Sequence, residues 1–156
     1  MRAAAAFLVG FALPVLASES SLERLAGPAR ALHERVNEVR RERNLVPFVT
    51  DAAVARIAQA HADEMAAYGY VSHTDRAGRN PLERAQAAGL SGFRLLAENI
   101  GASSIRGDRV ESVVEEWLRS PSHRENLLTP AFRASGIGVA ERDDGTTIFV
   151  QLYIGR

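Results

Sequence analysis

The chain has 156 residues, of which 46% are hydrophobic and 24% are charged, as is typical of one globular domain with a sizeable core. Its formal net charge is +0, so it lacks the overall positive field that attracts nucleic acid, and we predict no nucleic-acid partner. It contains neither cysteine nor lysine, which excludes disulfides, thiolate chemistry and lysine Schiff bases. Any catalysis must therefore use His, Asp, Glu, Ser, Thr, Tyr or a metal.

The first residues have the pattern of an export signal. A positive start and the apolar stretch Ala3–Leu13 precede a small-residue cleavage site at Val15–Ala17. The apolar stretch is too short to span a bilayer. We predict a signal peptide over residues 1–17, a flexible lead over 18–27 and one domain over 28–156. The chain would then be secreted or periplasmic, without stable membrane insertion after cleavage; a retained anchor or a buried first helix is the alternative.

Apolar residues at helical spacing, with capping residues at the ends, predict four helices. Two of them open with capping boxes, in which an N-cap side chain and a glutamate three residues later satisfy backbone amides. In chain order, these helices are Pro28 to about Arg43, a helix capped by Asp51 that ends at Gly69, a short helix from Asn80–Glu83 to Gly89, and a helix from Asp108–Glu111 that carries Trp117 and stops at Ser120–Pro121.

Three segments change to the pattern of strands. They are Phe93–Ile100, Ser135–Ala140 and Thr146–Ile154, and Asp143–Gly145 is the hairpin turn between the last two. We expect a short turn around Ser122–Leu127. Helices first, a strand and helix in the middle and a terminal hairpin together predict the α+β class, with an antiparallel sheet flanked by helices.

The four histidines differ in their expected surroundings. His33 has charged neighbours in the first helix and is predicted to be at the surface or partly buried. His61 lies on the apolar stripe of the second helix, where a hydrogen-bonded core histidine is more common than a ligand. His73 and His123 lie in short polar segments at the ends of regular elements, where functional sites concentrate.

Glu98 ends a predicted strand that is otherwise apolar. A carboxylate at that place needs a partner, because burying it unpaired is costly. From spacing alone, a functional role and a structural one are equally supported; in the structural one, Glu98 and Asn99 tie down neighbouring amides or Arg124. The chain has no standard metal-ligand spacing and no nucleophile-elbow serine.

Six groups of residues, in this order and at this spacing, form a recognisable set over about Leu32 to Ile154. They are Leu32–Arg40, Ala60–Ala66 with Val71–Asp75, Gly78–Pro81 with Arg84, Glu98–Ile100, Trp117–Leu128 and Gly136–Ala140. Together they resemble the bacterial branch of the CAP (cysteine-rich secretory protein, SCP-like) family. The resemblance implies a three-layer α-β-α sandwich with a central, mainly antiparallel sheet and a shallow cleft.

In many members of that family, two histidines and two glutamates line the cleft and can hold a divalent metal, often zinc. His73, Glu98 and His123 match three of the four positions, and the resemblance implies that these three could ligate the metal. Glu98 is also our candidate catalytic residue, as a general base.

Two positions depart from the family pattern. Ser120 stands where the second glutamate is usual, and Ala97 stands where many members have glycine. A metal would then be held by three protein ligands and water. We expect Ser120, Asn99 and Arg124 to support the cleft.

Three functions compete at this point. The leading hypothesis is an exported binding module whose cleft takes a small hydrophobic, lipid-like or cell-envelope ligand, together with a divalent metal. The second is a metal-assisted, peptidase-like hydrolase, in which a metal activates water and Glu98 removes its proton. The third is an extracellular scaffold or interaction module that acts through its outer surface, with the histidines bracing loops.

Overall fold

The computed structural model describes residues 27–156. The predicted signal peptide, and all of the predicted lead but its last residue, lie outside these described residues. The elements within them are α1 (Pro28–Glu42), β1 (Val49–Thr50), α2 (Ala52–Tyr68), α3 (Pro81–Ala87), β2 (Leu95–Ser103), α4 (Arg109–Arg119), α5 (Pro121–Leu128), β3 (Ala134–Glu141) and β4 (Thr147–Gly155). None of the helices in this part of the chain is long and apolar enough to cross a bilayer.

The four strands form one sheet in the order β1-β3-β4-β2. Strand β4 pairs antiparallel with both β2 and β3, while the two-residue strand β1 pairs parallel with β3. The predicted α+β class is therefore confirmed, and the sheet is mixed: mainly antiparallel, with one short parallel pair. The sequence analysis missed β1 because two residues are too few to show the alternation by which strands are found.

Strand β4 is the centre of a three-layer sandwich. All of its residues are buried, and successive side chains point to opposite faces. The even-numbered residues 148–154 pack with α2 and α3, whereas Phe149 and Tyr153 pack with α1, α4 and α5. The layers are thus α2 and α3, the sheet, and the other three helices, as the resemblance implied.

Helix α2 lies unusually close to the sheet because β3 presents glycines to it. A Cβ atom on Gly136 would overlap the backbone of Val54 and Ala55, and one on Gly138 would overlap the backbone of Ala58. The helix is fixed at its start by Asp51, whose Oδ1 accepts the amides of the first turn. This close packing places the end of α2, and the loop that follows it, over the sheet.

The structure corrects three boundaries. The segment Ser122–Leu127, predicted as a turn, lies within helix α5, because Pro121 both ends α4 and occupies the favoured first position of a new helix. The third helix ends at Ala87 instead of Gly89. Strand β2 extends to Ser103, so Glu98 lies inside the strand and not at its end.

Trp117 gives a test of how α4 packs on β2. Its ring is fully buried, and its Nε1 donates a 3.0 Å hydrogen bond to the carbonyl of Ile100. We expect Trp117→Ala to lower the free energy of unfolding by about 3–5 kcal/mol, measured by urea denaturation. Trp117→Phe keeps an aromatic ring and loses the donor, so it should cost about 1–3 kcal/mol. A neutral Trp117→Ala would contradict this packing.

Candidate functional site

The predicted site is built on β2, which is an edge strand of the sheet. Neighbouring residues of a strand point to opposite faces, and Glu98 and Asn99 are both buried. Glu98 contacts Arg84 of α3, on one face of the sheet, while Asn99 contacts α5 on the other face. The two adjacent side chains therefore connect the two helical layers at the same place on the edge.

Glu98 binds two partners on its own face. Its Oε1 accepts a 2.8 Å hydrogen bond from Nδ1 of His73, and its Oε2 accepts a hydrogen bond from Nη2 of Arg84. Nη1 of Arg84 also donates to the backbone carbonyl of His73 at 2.6 Å. The ion pair is buried, since the side chains of Arg84 and Glu98 are 7% and 2% exposed, but that of His73 is 54% exposed. A buried pair therefore fixes a solvent-exposed imidazole.

These contacts also decide which nitrogen of His73 is free. The carboxylate can only accept, so Nδ1 carries the proton that it donates. In the neutral imidazole, Nε2 is then the nitrogen without a proton, suited to accept a hydrogen bond or to bind a metal.

His123 reaches the site from the opposite layer. It lies in the first turn of α5, and its backbone carbonyl accepts a 3.0 Å hydrogen bond from Nδ2 of Asn99. Asn126, one turn further along α5, donates to Oδ1 of Asn99 at 3.0 Å and to the carbonyl of Glu98 at 3.4 Å. Two buried or partly buried amides thus hold the start of α5 against the strand that carries Glu98.

His123 lies close enough to His73 for the charge of that imidazole to act on it. Burial is the main cause that lowers the pKa of His123, and the nearby charge of His73 lowers it further. Nδ1 of His123 is buried and has no hydrogen-bond partner among the described residues. The fold therefore brings one exposed and one partly buried histidine together, with Glu98 behind the exposed one.

The carboxylate of Glu98 is less available as a metal ligand than the two imidazoles are. Both oxygens of Glu98 are already bound, by His73 and Arg84. Over residues 27–156, no group of three or more His, Asp or Glu side chains is arranged to hold a metal ion. Glu98 instead has the arrangement of a carboxylate that orients a metal-binding imidazole from behind. Zinc binding by His73, His123 and Glu98 stays a prediction.

Of the three expected supporting residues, Asn99 holds α5 as described above, whereas Ser120 and Arg124 make few contacts. The hydroxyl of Ser120 lies 3.4 Å from that of Ser122 and caps no helix amide. Arg124 is exposed and donates to the carbonyl of Leu118 at 3.4 Å. The structural alternative in which Glu98 binds Arg124 is wrong, because the cation on Glu98 is Arg84.

The other two histidines are in the core. His61 is buried and its Nε2 donates to the carbonyl of Ser72 at 2.8 Å, as predicted for a core histidine. His33 is only 7% exposed, so the prediction of a surface or partly buried residue is wrong. Its Nε2 accepts from Nδ2 of Asn37, a buried amide that also pairs with both backbone groups of Phe48.

Sequence reasoning missed two residues that build the site. Arg84 and Asn126 lie inside the motifs that carry the family resemblance, but neither was predicted to contribute to the site. Arg84 lies in a short helix that starts with the capping box of Asn80 and Glu83, and it is buried despite its charge. A buried arginine cannot be told from an exposed one by spacing in so short a helix, so no sequence signal identified it.

A family comparison gives the identity of this fold. The model of the cysteine-rich secretory protein (CAP) family matches residues 33–153 of this α-β-α sandwich. The chain belongs to that family, and the predicted membership is confirmed.

Its relatives include several bacterial proteins. The uncharacterized protein YkwD of Bacillus subtilis is 29% identical over 124 residues, which are 79% of this chain and 45% of YkwD, so this chain spans less than half of that relative. An outer surface protein from Borrelia burgdorferi has a TM-score of 0.74 at 26% identity, over 85% of this chain and 95% of that one. An extracellular SCP-domain protein from Bacillus anthracis has a TM-score of 0.70 at 28% identity, over 81% of this chain and 40% of that one.

The ion pair of Arg84 and Glu98 gives a second test. Arg84→Met would leave a buried carboxylate without its cation, and we expect a loss of about 3–5 kcal/mol in the free energy of unfolding. The double variant Arg84→Met/Glu98→Gln should lose less than the sum of the single changes, because the neutral amide needs no cation. The exposed control Arg124→Met should change stability by less than about 0.5 kcal/mol. Additive effects in the cycle would contradict a direct pair.

Stability should also fall as the pH is lowered. The pKa values of His33, His61 and His123 are all below the ordinary 6.5, mainly because of burial. The unfolded chain therefore binds protons at a higher pH than the folded chain does. The stabilising contribution of these neutral histidines is complete above the ordinary pKa of 6.5 and is lost as the pH falls below it. We expect a lower urea midpoint at about pH 5.5 than at about pH 7.5, and a smaller difference in His61→Gln. Equal urea midpoints at the two pH values would contradict this prediction.

Proposed function

We propose that this chain is an exported CAP-domain protein whose cleft binds a small lipid-like or cell-envelope ligand through His73 and His123. The observation that supports this most directly is the exposed imidazole of His73, which the buried ion pair of Arg84 and Glu98 holds in place. A buried ion pair often stabilises a fold no better than apolar residues of the same size. Its use here is better explained by the rigid positioning of a binding group.

An extracytoplasmic location is part of the proposal. Two relatives are described as an outer surface protein and an extracellular protein. The residues before the described domain have the composition of an export signal. A ligand from the cell envelope would be available to a protein in that place.

A divalent metal would be held by Nε2 of His73 and by His123, with Glu98 orienting the first ring. A metal bound there would supply Lewis acidity to an oxygen of the ligand. Two imidazoles leave further coordination positions to water or ligand, so we expect weak binding. The hydrolase alternative needs Glu98 as a general base, and both of its oxygens are already hydrogen-bonded. No contact in the described residues favours that alternative.

The test compares His73→Ala and His123→Ala with Thr74→Ala, an exposed neighbour of His73. Mass spectrometry would identify small molecules that co-purify with each protein, and calorimetry would measure zinc binding. We expect both histidine variants to lose the co-purifying ligand and zinc while keeping most of their thermal stability, and Thr74→Ala to behave as the wild type. Zinc binding should weaken as the pH drops through the imidazole range.

Two outcomes would contradict the proposal. Retention of the ligand by both histidine variants would place the binding site elsewhere. A fall in melting temperature with no change in any binding would instead support the scaffold alternative, in which the histidines brace loops.

A further inference from the structure

A cavity lies next to the ion pair of Arg84 and Glu98, and Arg84 lines it. The cavity has a volume of about 780 Å³ and is formed by α2, α3, the residues that follow α3, and Asp75 and Arg79 of the preceding loop. Sites for small molecules have volumes of roughly 300–1,000 Å³. Small apolar side chains supply much of its wall: Ala53, Ile57, Ala60, Ala87, Ala88 and Leu90. It is therefore large enough for a ligand and can accept a compact apolar body.

The charged side chains on its wall that still have free hydrogen-bonding groups are arginines. Arg56 is exposed and has no carboxylate within salt-bridge distance among the described residues. Arg79 uses only Nε for its 2.8 Å bond to Asp75, which leaves the ends of its guanidinium available. Nε of Arg84 is buried and has no hydrogen-bond partner in the part of the chain that the structure describes.

The acidic groups of the same wall are already used. Asp75 accepts from the backbone amides of Ala77 and Arg79 as well as from the Arg79 side chain. Glu64 accepts from the hydroxyl of Tyr70 at 3.1 Å and from the amide of Arg76 at 3.2 Å. An anionic group on the ligand would therefore find free donors here, whereas a cationic group would find carboxylates that are already hydrogen-bonded. Arginine recognises carboxylates in particular, because its planar fork can donate two parallel hydrogen bonds.

From these observations we infer that the cavity between α2 and α3 binds a small organic carboxylate with a compact apolar body, held by Arg56 and Arg79. The carboxyl end of a short alanine peptide and a short aliphatic acid share this chemistry. The inference does not depend on ligand or metal binding in the cleft, since neither His73 nor His123 lines this cavity.

Arg84 connects the cavity to the cleft. Its guanidinium binds Glu98 and the carbonyl of His73, while the same side chain forms part of the cavity wall. A carboxylate close to this guanidinium competes with Glu98 for its charge. Binding in the cavity should therefore shift the imidazole resonances of His73, although His73 does not line the cavity.

The experiment titrates the ¹⁵N-labelled protein with N-acetyl-Ala-Ala in one arm and butyrate in the other, at low salt, and follows amide and imidazole resonances. We expect saturable, millimolar binding of at least one probe, with shifts in residues 53–64 and 84–91 and in the His73 ring. Arg56→Gln and Arg79→Gln should each weaken binding about tenfold. Arg106→Gln, at an exposed arginine outside the cavity, should bind as the wild type does.

The two arms separate the sources of the carboxylate. Tighter binding of N-acetyl-Ala-Ala indicates a peptide terminus, and tighter binding of butyrate indicates an aliphatic acid. The absence of saturable shifts with both probes would overturn the inference. So would binding that the Arg56→Gln and Arg79→Gln variants weaken no more than Arg106→Gln does. Since the cleft is tested by histidine variants, failure of one proposal is distinguishable from failure of the other.

Discussion

The alternation of side chains along an extended strand determines how this site is built. Glu98 and Asn99 are neighbours in the chain, yet they face opposite layers of the sandwich because they lie on a strand. Glu98 binds the loop after α2 through His73, and Asn99 binds α5 through the carbonyl of His123. Two histidines that are 50 residues apart in the chain are thereby fixed at one edge of the sheet. A shift of one residue in the pairing of β2 with β4 would turn Glu98 and Asn99 to the opposite faces of the sheet. The contacts that hold the two histidines at this edge would then be lost.

This arrangement buries the carboxylate of Glu98, and burial disfavours its charged form. Glu98 is nearly inaccessible, and only the guanidinium of Arg84 balances its charge within the described residues around it. Removing a buried carboxylate from water costs several kcal/mol, which the pair recovers only with good geometry and further hydrogen bonds. Arg84 meets that requirement by also donating to the carbonyl of His73. The same guanidinium therefore holds the carboxylate and the backbone of the residue that the carboxylate orients.

Much of the fold could be predicted from the sequence, because its signals are local. The capping residues Asp51 and Asn80, the apolar face around Trp117 and the hairpin at Asp143–Gly145 all lie within a few residues of what they determine. Strand β1 was missed because two residues are too few to show alternation. Helix α5 was missed because Pro121 was interpreted only as the stop of α4, although proline also favours the first position of a new helix.

The site was predicted less completely than the fold. His73 and His123 could be selected because histidine is rare in this chain and both follow regular elements. Family resemblance supplied Glu98, but neither composition nor spacing could show that Arg84 would bind it, because that contact joins α3 to β2 across 14 positions of the chain. Such contacts decide whether a carboxylate has a free oxygen. They therefore also decide whether it can ligate a metal itself or only orient another residue that does.

The side chain of Gln59 has a consequence for how this molecule meets other copies of itself. Beyond the short strand β1, the amide of Gln59 donates to the carbonyl of Val139 at 2.8 Å and accepts from its N–H at 3.0 Å. At the opposite edge, Trp117 and Asn126 bind the carbonyls of Ile100 and Glu98. Each contact occupies backbone groups that an incoming strand would need. Side chains thus occupy part of both sheet margins, which disfavours edge-to-edge pairing of two copies at these positions.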